Sequence, residues 1–106
     1  MFRVAVASSD GKFVNDHFGR AHQFLIFEYI GGTYRFVEMR SNIPSCQWEK
    51  NEEDAHAQTI RNLKDCQAVL VSRIGPGALH TLASNGIRSY EIADYIEEAL
   101  KRIAPE

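Results

Sequence analysis

The sequence contains few cysteines and no cysteine pattern typical of a structural metal site. It has two cysteines, Cys46 and Cys66, which stand far apart. No Cys-x-x-Cys pair is present, so we do not expect structural zinc. In a reducing compartment we also do not expect a disulfide between them.

Long apolar runs and runs of one charge are also missing. No apolar segment approaches the ~20 residues of a membrane-spanning helix, and the start MFRVAVASSD lacks the apolar centre of a signal peptide. The 12 Lys and Arg form no basic run, and the formal net charge is −2. We therefore expect a cytoplasmic protein that binds neither membranes nor nucleic acid.

The residues that are present indicate a folded protein. The 106 residues are 44% hydrophobic and 25% charged, with no repeats and no low-complexity segment. These values are typical of a globular domain, and the length suits one domain covering residues 1–106.

Five segments rich in β-branched and aromatic residues are predicted strands. They are Phe2–Ala7, Phe24–Ile30, Thr33–Arg40, Cys66–Ser72 and Ile87–Glu91. Gly31 and Gly32 form a predicted two-residue hairpin turn, because glycine accepts positive φ cheaply.

Three segments have the pattern of helices. NEEDAHAQTIRNLK places His56, Ile60 and Leu63 on one face, and Pro76 and Asn85-Gly86 bound a second helix. The last helix is predicted from an apolar stripe at helical spacing. The stripe consists of Ile92, Ile96, Ala99, Leu100 and Ile103.

This order of elements predicts a three-layer α/β fold with a five-stranded mixed sheet. The first three strands form an antiparallel meander, and right-handed crossovers place the last two on the other side of strand one. The predicted strand order is therefore 3-2-1-4-5, with helices on both faces.

The predicted topology brings several polar loops to one edge of the sheet. Strands one and four would be parallel neighbours whose connections leave in different directions, and ligands favour the carboxyl ends of strands at such a point. The candidate pocket and anion-binding residues at this edge are Ser8, Ser9, Asp10, Asp16, His17, Arg73, Gly75 and Gly77, with Cys46 on a loop that can reach them.

Each of these features also has an ordinary structural interpretation. A lone histidine such as His17 commonly satisfies a loop carbonyl, and Asp16 could be a turn residue or a helix cap. Gly75-Pro76-Gly77 could be only a turn between a strand and a helix. A helix amino terminus next to Arg73 nevertheless suits an anion. Cys66, inside a strand, is the stronger candidate for packing.

Four segments together resemble one known family. VNDHFGRAHQFLIFE, the hairpin, LKDCQAVLVSRIGPGALHTLASNGI and IEEAL are similar to the nitrogenase iron–molybdenum cofactor biosynthesis family. That family includes the carriers NifX and NafY and the carboxy-terminal domain of NifB. The resemblance implies a ribonuclease-H-like fold that binds iron–sulfur or molybdenum-containing clusters and hands them on.

The resemblance also implies roles for particular residues. The histidine of the DHFG motif is His17, implicated as a cluster ligand, and Cys46 resembles a cysteine in the corresponding loop of NifB-like sequences. A sulfide-bridged cluster arrives mostly coordinated, so a carrier needs one or two labile ligands and complementary charge. Arg73 and the N–H groups of Gly75–Gly77 could supply that charge.

The implied protein is a carrier and not an enzyme. Its partners would be the proteins that donate and accept the cluster, and we expect a monomer or a weak dimer. The cluster would be bound transiently, because four cysteine ligands would hold it too permanently for delivery.

Three other functions fit parts of the sequence. A ribonuclease-H-type nuclease needs several carboxylates to hold two metals, yet FRVAVA and AVLVS contain none. A sensor of anions or small molecules could use the same pocket. A protein-docking module could use the aromatic residues Phe13, Phe18 and Trp48.

Overall fold

The structure is a computed structural model that describes residues 2–42 and 58–105. Its strands are β1 (Phe2–Ala7), β2 (Gln23–Ile30), β3 (Thr33–Ser41), β4 (Ala68–Val71) and β5 (Arg88–Glu91). Its helices are α1 (58–62), α2 (Pro76–Ser84) and α3 (Ile96–Arg102), and a 3₁₀ turn spans Phe18–Arg20.

The five strands form one mixed sheet in the order β3-β2-β1-β4-β5, which confirms the predicted order. β1 pairs with β2 antiparallel and with β4 parallel, and β4 pairs with β5 parallel. The carboxyl ends of β1, β4 and β5 therefore meet at one edge of the sheet. β3 also ends there, because it is antiparallel to β2.

The hairpin between β2 and β3 has the predicted glycine turn. Gly31 has φ +61° and Gly32 has φ +88°, values that side chains disfavour and glycine accepts. A register shift between Ile26 and Phe27 marks a bulge in this pair of strands. Bulges bend a strand and increase its twist.

The sheet is covered on both faces, which gives the three layers. On one face α1 and α2 contribute Ile60 and Leu82 to a core that includes Phe24 and Val69. On the other face α3 packs the predicted stripe residues Ile96, Ala99, Leu100 and Ile103 on β1 and β4. No helix in the described part of the chain is long and apolar enough to span a membrane.

Some element boundaries differ from the prediction. α3 begins at Ile96, not near Ile92, because the N–H of Ile92 still donates to the Val71 carbonyl beyond the end of β5. Just before the first turn of α3, the Tyr95 N–H donates to the Asp94 carboxylate. The predicted positions of Cys46, Trp48 and His56 lie outside the described residues.

Candidate functional site

The loop that follows β1 closes the crevice between the ends of β1 and β4. The Asp16 N–H donates to the Ala7 carbonyl at 3.3 Å, and the Asp16 carbonyl accepts the Ser72 N–H at 3.0 Å. One residue therefore joins both strand ends. A ligand at this edge would meet the outer side of the loop and not the strand ends themselves.

His17 and Arg73 are direct neighbours on that outer side. They form a parallel β-bridge, and the N–H of Phe18 donates to the Arg73 carbonyl at 2.9 Å. The two residues come from loops after different strands, so the topology of the sheet is what brings them together. This confirms that the predicted edge unites the DHFG segment with the segment after β4.

Two apolar anchors hold His17 in this position. Val14 is 1% exposed and Phe18 is 2% exposed, and the Phe18 ring lies 6.0 Å from the Phe24 ring, measured between centroids. His17 itself is partly exposed. Among residues 2–42 and 58–105 its imidazole has no hydrogen-bond partner, so both ring nitrogens are available.

The amino terminus of α2 is the third part of this edge. Gly75 precedes the helix with extended backbone, Pro76 occupies its first turn, and no side chain caps it. First-turn N–H groups such as that of Gly77 have no partner within a helix, and they carry partial positive charge. The neighbouring Ile74 N–H is bonded to the Glu91 carboxylate at 3.2 Å, which adds an acid nearby.

The residues Ser8, Ser9 and Asp10 lie at the predicted edge, where their side chains bond within the loop. Asp10 accepts the N–H groups of Lys12 and Phe13 at 2.9 and 3.0 Å, and these bonds lower the pKa of its carboxyl. The Ser8 hydroxyl is buried and accepts the Gly11 N–H. Their predicted part in binding stays a prediction.

Amide side chains that were not predicted as candidate residues also stabilise this edge. Asn15 and Ser9 bond each other twice, and the Gln23 side chain donates to the Ser8 carbonyl at 2.8 Å. The Asn42 side chain donates to the Ala21 carbonyl at 2.9 Å. No sequence signal identifies such residues, because their partners are set by the fold.

The structure separates the remaining candidates. Cys66 is 3% exposed and precedes β4, at the edge opposite His17; burial raises the pKa of its thiol to about 12. Cys46 lies outside the described residues. The prediction that Phe18 belongs to a docking surface is wrong, because its ring is buried in the core.

The described side chains at this edge do not form a complete metal-binding group. Within the described ranges, no group of three or more His, Cys, Asp and Glu residues could hold a metal ion together. The arrangement offers the His17 imidazole, the Arg73 guanidinium and the backbone N–H groups at the start of α2. These groups can attach and neutralise an anionic ligand that brings most of its own coordination.

Comparison with known proteins gives a consistent result over the whole chain. The family model described as dinitrogenase iron-molybdenum cofactor matches residues 1–106. The FeMo cofactor biosynthesis protein NifB of Frankia alni is 41% identical over 103 residues, which cover 94% of this chain and 20% of that protein. The chain thus spans about a fifth of the length of the NifB relatives it matches.

This chain matches a larger share of the length of a shorter relative. Protein NifX of Herbaspirillum seropedicae is 29% identical over 108 residues, covering 93% of this chain and 73% of that protein. Among solved structures, a NifB-like protein from Thermotoga superposes with a TM-score of 0.67 at 24% identity, covering 98% of this chain and 88% of that one.

The apo form of the orange protein from Desulfovibrio gigas has the same fold. Its TM-score is also 0.67, at 20% identity, and the match covers 96% of this chain and 86% of that one. At these identities the two superpositions establish the fold alone.

Proposed function

Because the chain belongs to the dinitrogenase iron-molybdenum cofactor family, we propose that it carries an iron–sulfur or molybdenum-containing cluster and passes it on during cofactor assembly. The observation that carries this proposal is the contact between His17 and Arg73 beside the uncapped start of α2. It combines a metal-binding nitrogen with positive charge. In this proposal residues 1–106 are one cofactor-binding domain with a ribonuclease-H-like fold.

The donor set suits a cargo better than a permanent metal centre. A sulfide-bridged cluster has most of its metal sites already occupied by its own sulfides, so a single imidazole can complete one site. A bond through His17 alone can exchange, which is what delivery requires. Cys46 is the proposed second ligand, and the other cysteine is excluded because Cys66 is buried at the opposite edge.

The edge holds arginines that can bind an anion, next to the carboxylates of Asp10, Asp16 and Glu91. Arg73 and Arg20 are exposed there, and α2 turns its positive end to the same place. The nearby carboxylate of Glu91 is bonded to the Ile74 N–H, which offsets part of its charge. Clusters built from sulfide carry negative charge, so the same groups that attract the cargo would orient it.

The proposed role is non-catalytic, with a donor and an acceptor of the cluster as partners. Its relatives include proteins named for FeMo cofactor biosynthesis and for NifX, which supports a place in that assembly. A catalytic histidine would need an orienting acid and a nucleophile within reach. His17 has no hydrogen-bond partner in the described ranges that could orient it.

Substitution of His17 tests the proposal. Purified wild-type protein and His17→Ala are incubated without oxygen with an iron–sulfur cluster or a thiomolybdate cluster. Cluster binding is followed by charge-transfer absorbance and metal content. We expect the affinity of His17→Ala to fall about tenfold or more, while its circular dichroism stays that of wild type.

His22→Ala is the matched control, because His22 is an exposed histidine close in sequence at the same edge. It should bind the cluster as wild type does. Cys46→Ala combined with His17→Ala should reduce binding further if Cys46 is the second ligand. Equal affinity of His17→Ala and wild type would show that the ligand assignment is wrong, and absence of any absorbance band in wild type would favour a sensor or docking module.

A further inference from the structure

The two faces of the sheet are covered to different extents. On the face of α1 and α2, the β2 residues Phe24 and Ile26 are 0% exposed. On the other face α3 covers β1 and β4 but leaves the β2–β3 hairpin open. We call the apolar surface there the aromatic face; its exposed residues are Phe13, Phe36, Met39 and Tyr95, and its partly buried residues are Phe27 and Tyr34.

The cross-strand register places these hairpin residues side by side. Phe27 pairs with Phe36, and their ring centroids are 5.7 Å apart. Met39 pairs with Leu25, which belongs to the core under α3, so Met39 lies on the same face. Phe36 is 58% exposed and Met39 is 53% exposed. Large apolar patches of this kind on a soluble protein usually mark an interaction surface.

The aromatic face has a protrusion and a hollow next to each other. A groove of about 500 Å³ lies between α3 and the hairpin, lined by residues that include Phe27, Tyr34, Tyr95 and Leu100. Phe36 stands beside Phe27, a residue of the groove lining, with more than half of its side chain in solvent. A protruding ring next to a hollow is the shape that a self-complementary interface needs.

The groove is lined by one lysine and two glutamates, of which Glu98 is paired with Lys101. Lys12 and Glu97 both line it, and both are exposed. Neither makes an ion pair with any residue in the described ranges. In an interface with two-fold symmetry, a residue of one copy meets a different residue of the other copy, and the reverse contact occurs as well. Lys12 of each copy can therefore meet Glu97 of the other.

We propose that the aromatic face binds a second copy of this chain, so that the protein forms a symmetric dimer. Phe36 of each copy enters the groove of the other, and two Lys12–Glu97 pairs flank the rings. The charge pairing favours a second copy over a partner with charge of a single sign. The proposal does not depend on cluster binding, and its test needs no cluster.

Sedimentation equilibrium of the purified chain over a wide concentration series tests the proposal. We expect a concentration-dependent dimer for wild type. Phe36→Lys should weaken dimerisation about tenfold or more, because it places a charge in an apolar interface. Leu79→Lys is the matched control: Leu79 is 46% exposed on α2, which covers the other face of the sheet, so this variant should dimerise as wild type.

Reversing the charges tests the arrangement of the two copies. Lys12→Glu and Glu97→Lys should each weaken the dimer, and the double variant should restore it. A wild-type chain that stays monomeric throughout the series overturns the proposal. Equal effects of Phe36→Lys and Leu79→Lys on dimerisation overturn it as well. The proposal also fails if the double variant dimerises no more tightly than the two single variants.

Discussion

Cys66 shows how burial decides the chemistry of a single residue. Its side chain is 3% exposed, and desolvation raises the pKa of its thiol to about 12. The thiolate is the reactive form, so very few of the Cys66 thiols are ionised at pH 8. In a Cys46→Ala background, where Cys66 is the only thiol, we expect no reaction with a disulfide reagent in the native state.

The measurement is the rate of reaction followed by absorbance, with and without denaturant. Unfolding should expose the thiol and return its pKa to the ordinary range, so the reaction should become complete within minutes. Rapid reaction of the native protein at pH 8 would contradict the burial of Cys66. It would also make the Cys66 thiol available as a metal ligand.

At the scale of residues, the sequence predicts positions better than it predicts side-chain contacts. The contact of His17 with Arg73 follows from the strand order, so the sequence could predict that both lie at one edge. It could not predict that the Asp10 carboxylate accepts backbone N–H groups of its own loop, because a loop carboxylate has many possible hydrogen-bond partners. The docking-module interpretation places Phe18 at the surface, but Phe18 is buried, since loop residues next to a strand edge can return to the core.

At the scale of elements, Asp65 ties three parts of the chain together. It lies in the turn before β4, and its carboxylate accepts two bonds from Arg40 on β3, at 2.6 and 2.7 Å, and one from Arg3 on β1 at 2.6 Å. These cations, Arg40 first, hold the pKa of the Asp65 carboxyl well below its usual range. Charge-assisted bonds with a bidentate arginine are the stronger kind of surface pair.

Replacement of Asp65 should therefore cost stability. We expect Asp65→Asn to lower the free energy of unfolding by about 1 to 2 kcal/mol at pH 7, a modest value because its side chain is 43% exposed. Arg3 and Arg40 keep Glu28 and Glu38 as partners, so neither is left alone. Glu98→Gln, which removes an exposed pair with Lys101, should change stability by less than about 0.5 kcal/mol.

The pH dependence of this difference has a definite sign. A carboxyl with a lowered pKa in the folded state contributes its stability above the unfolded value of about 4, and the contribution is lost as the pH falls below it. The gap between wild type and Asp65→Asn, measured by denaturant unfolding, should therefore shrink as the pH falls from 4 towards 2. A gap that is constant over this interval would mean that the ion pairs contribute nothing.

The elements themselves were largely predictable, and their ends were not. β1 runs from Phe2 to Ala7 as predicted, because an apolar run ending in a polar loop marks both ends. β4 is shorter than the predicted strand Cys66–Ser72. The Ser72 N–H donates to the Asp16 carbonyl in the loop after β1 and not to a neighbouring strand. Such ends are decided by contacts between segments that are distant in the sequence.

At the scale of the whole molecule, the strand order follows from the chain itself. A glycine hairpin joins β2 to its neighbour β3, and β4 and β5 lie on the other side of β1 as the crossover rule predicts. The coverage of the sheet does not follow so simply. Both faces of β2 carry aromatic residues, yet Phe24 is fully buried on one face and Phe27 is only partly buried beside α3 on the other. The position of the described helices over the strands decides this, and it depends on the final packing.

Substitution of two phenylalanines of the β2–β3 hairpin, one on each face, tests how far each face is buried. Phe24→Ala should lower the free energy of unfolding by about 3 to 5 kcal/mol, because it opens a cavity in a filled core. Phe36→Ala should lower it by about 1 kcal/mol or less, since that ring is 58% exposed and its main aromatic contact is with Phe27. Denaturant unfolding at low protein concentration, where the proposed dimer is dissociated, gives both values. Similar losses for the two variants would show that the aromatic face is covered within one chain, and the surface proposed for a second copy would then not exist.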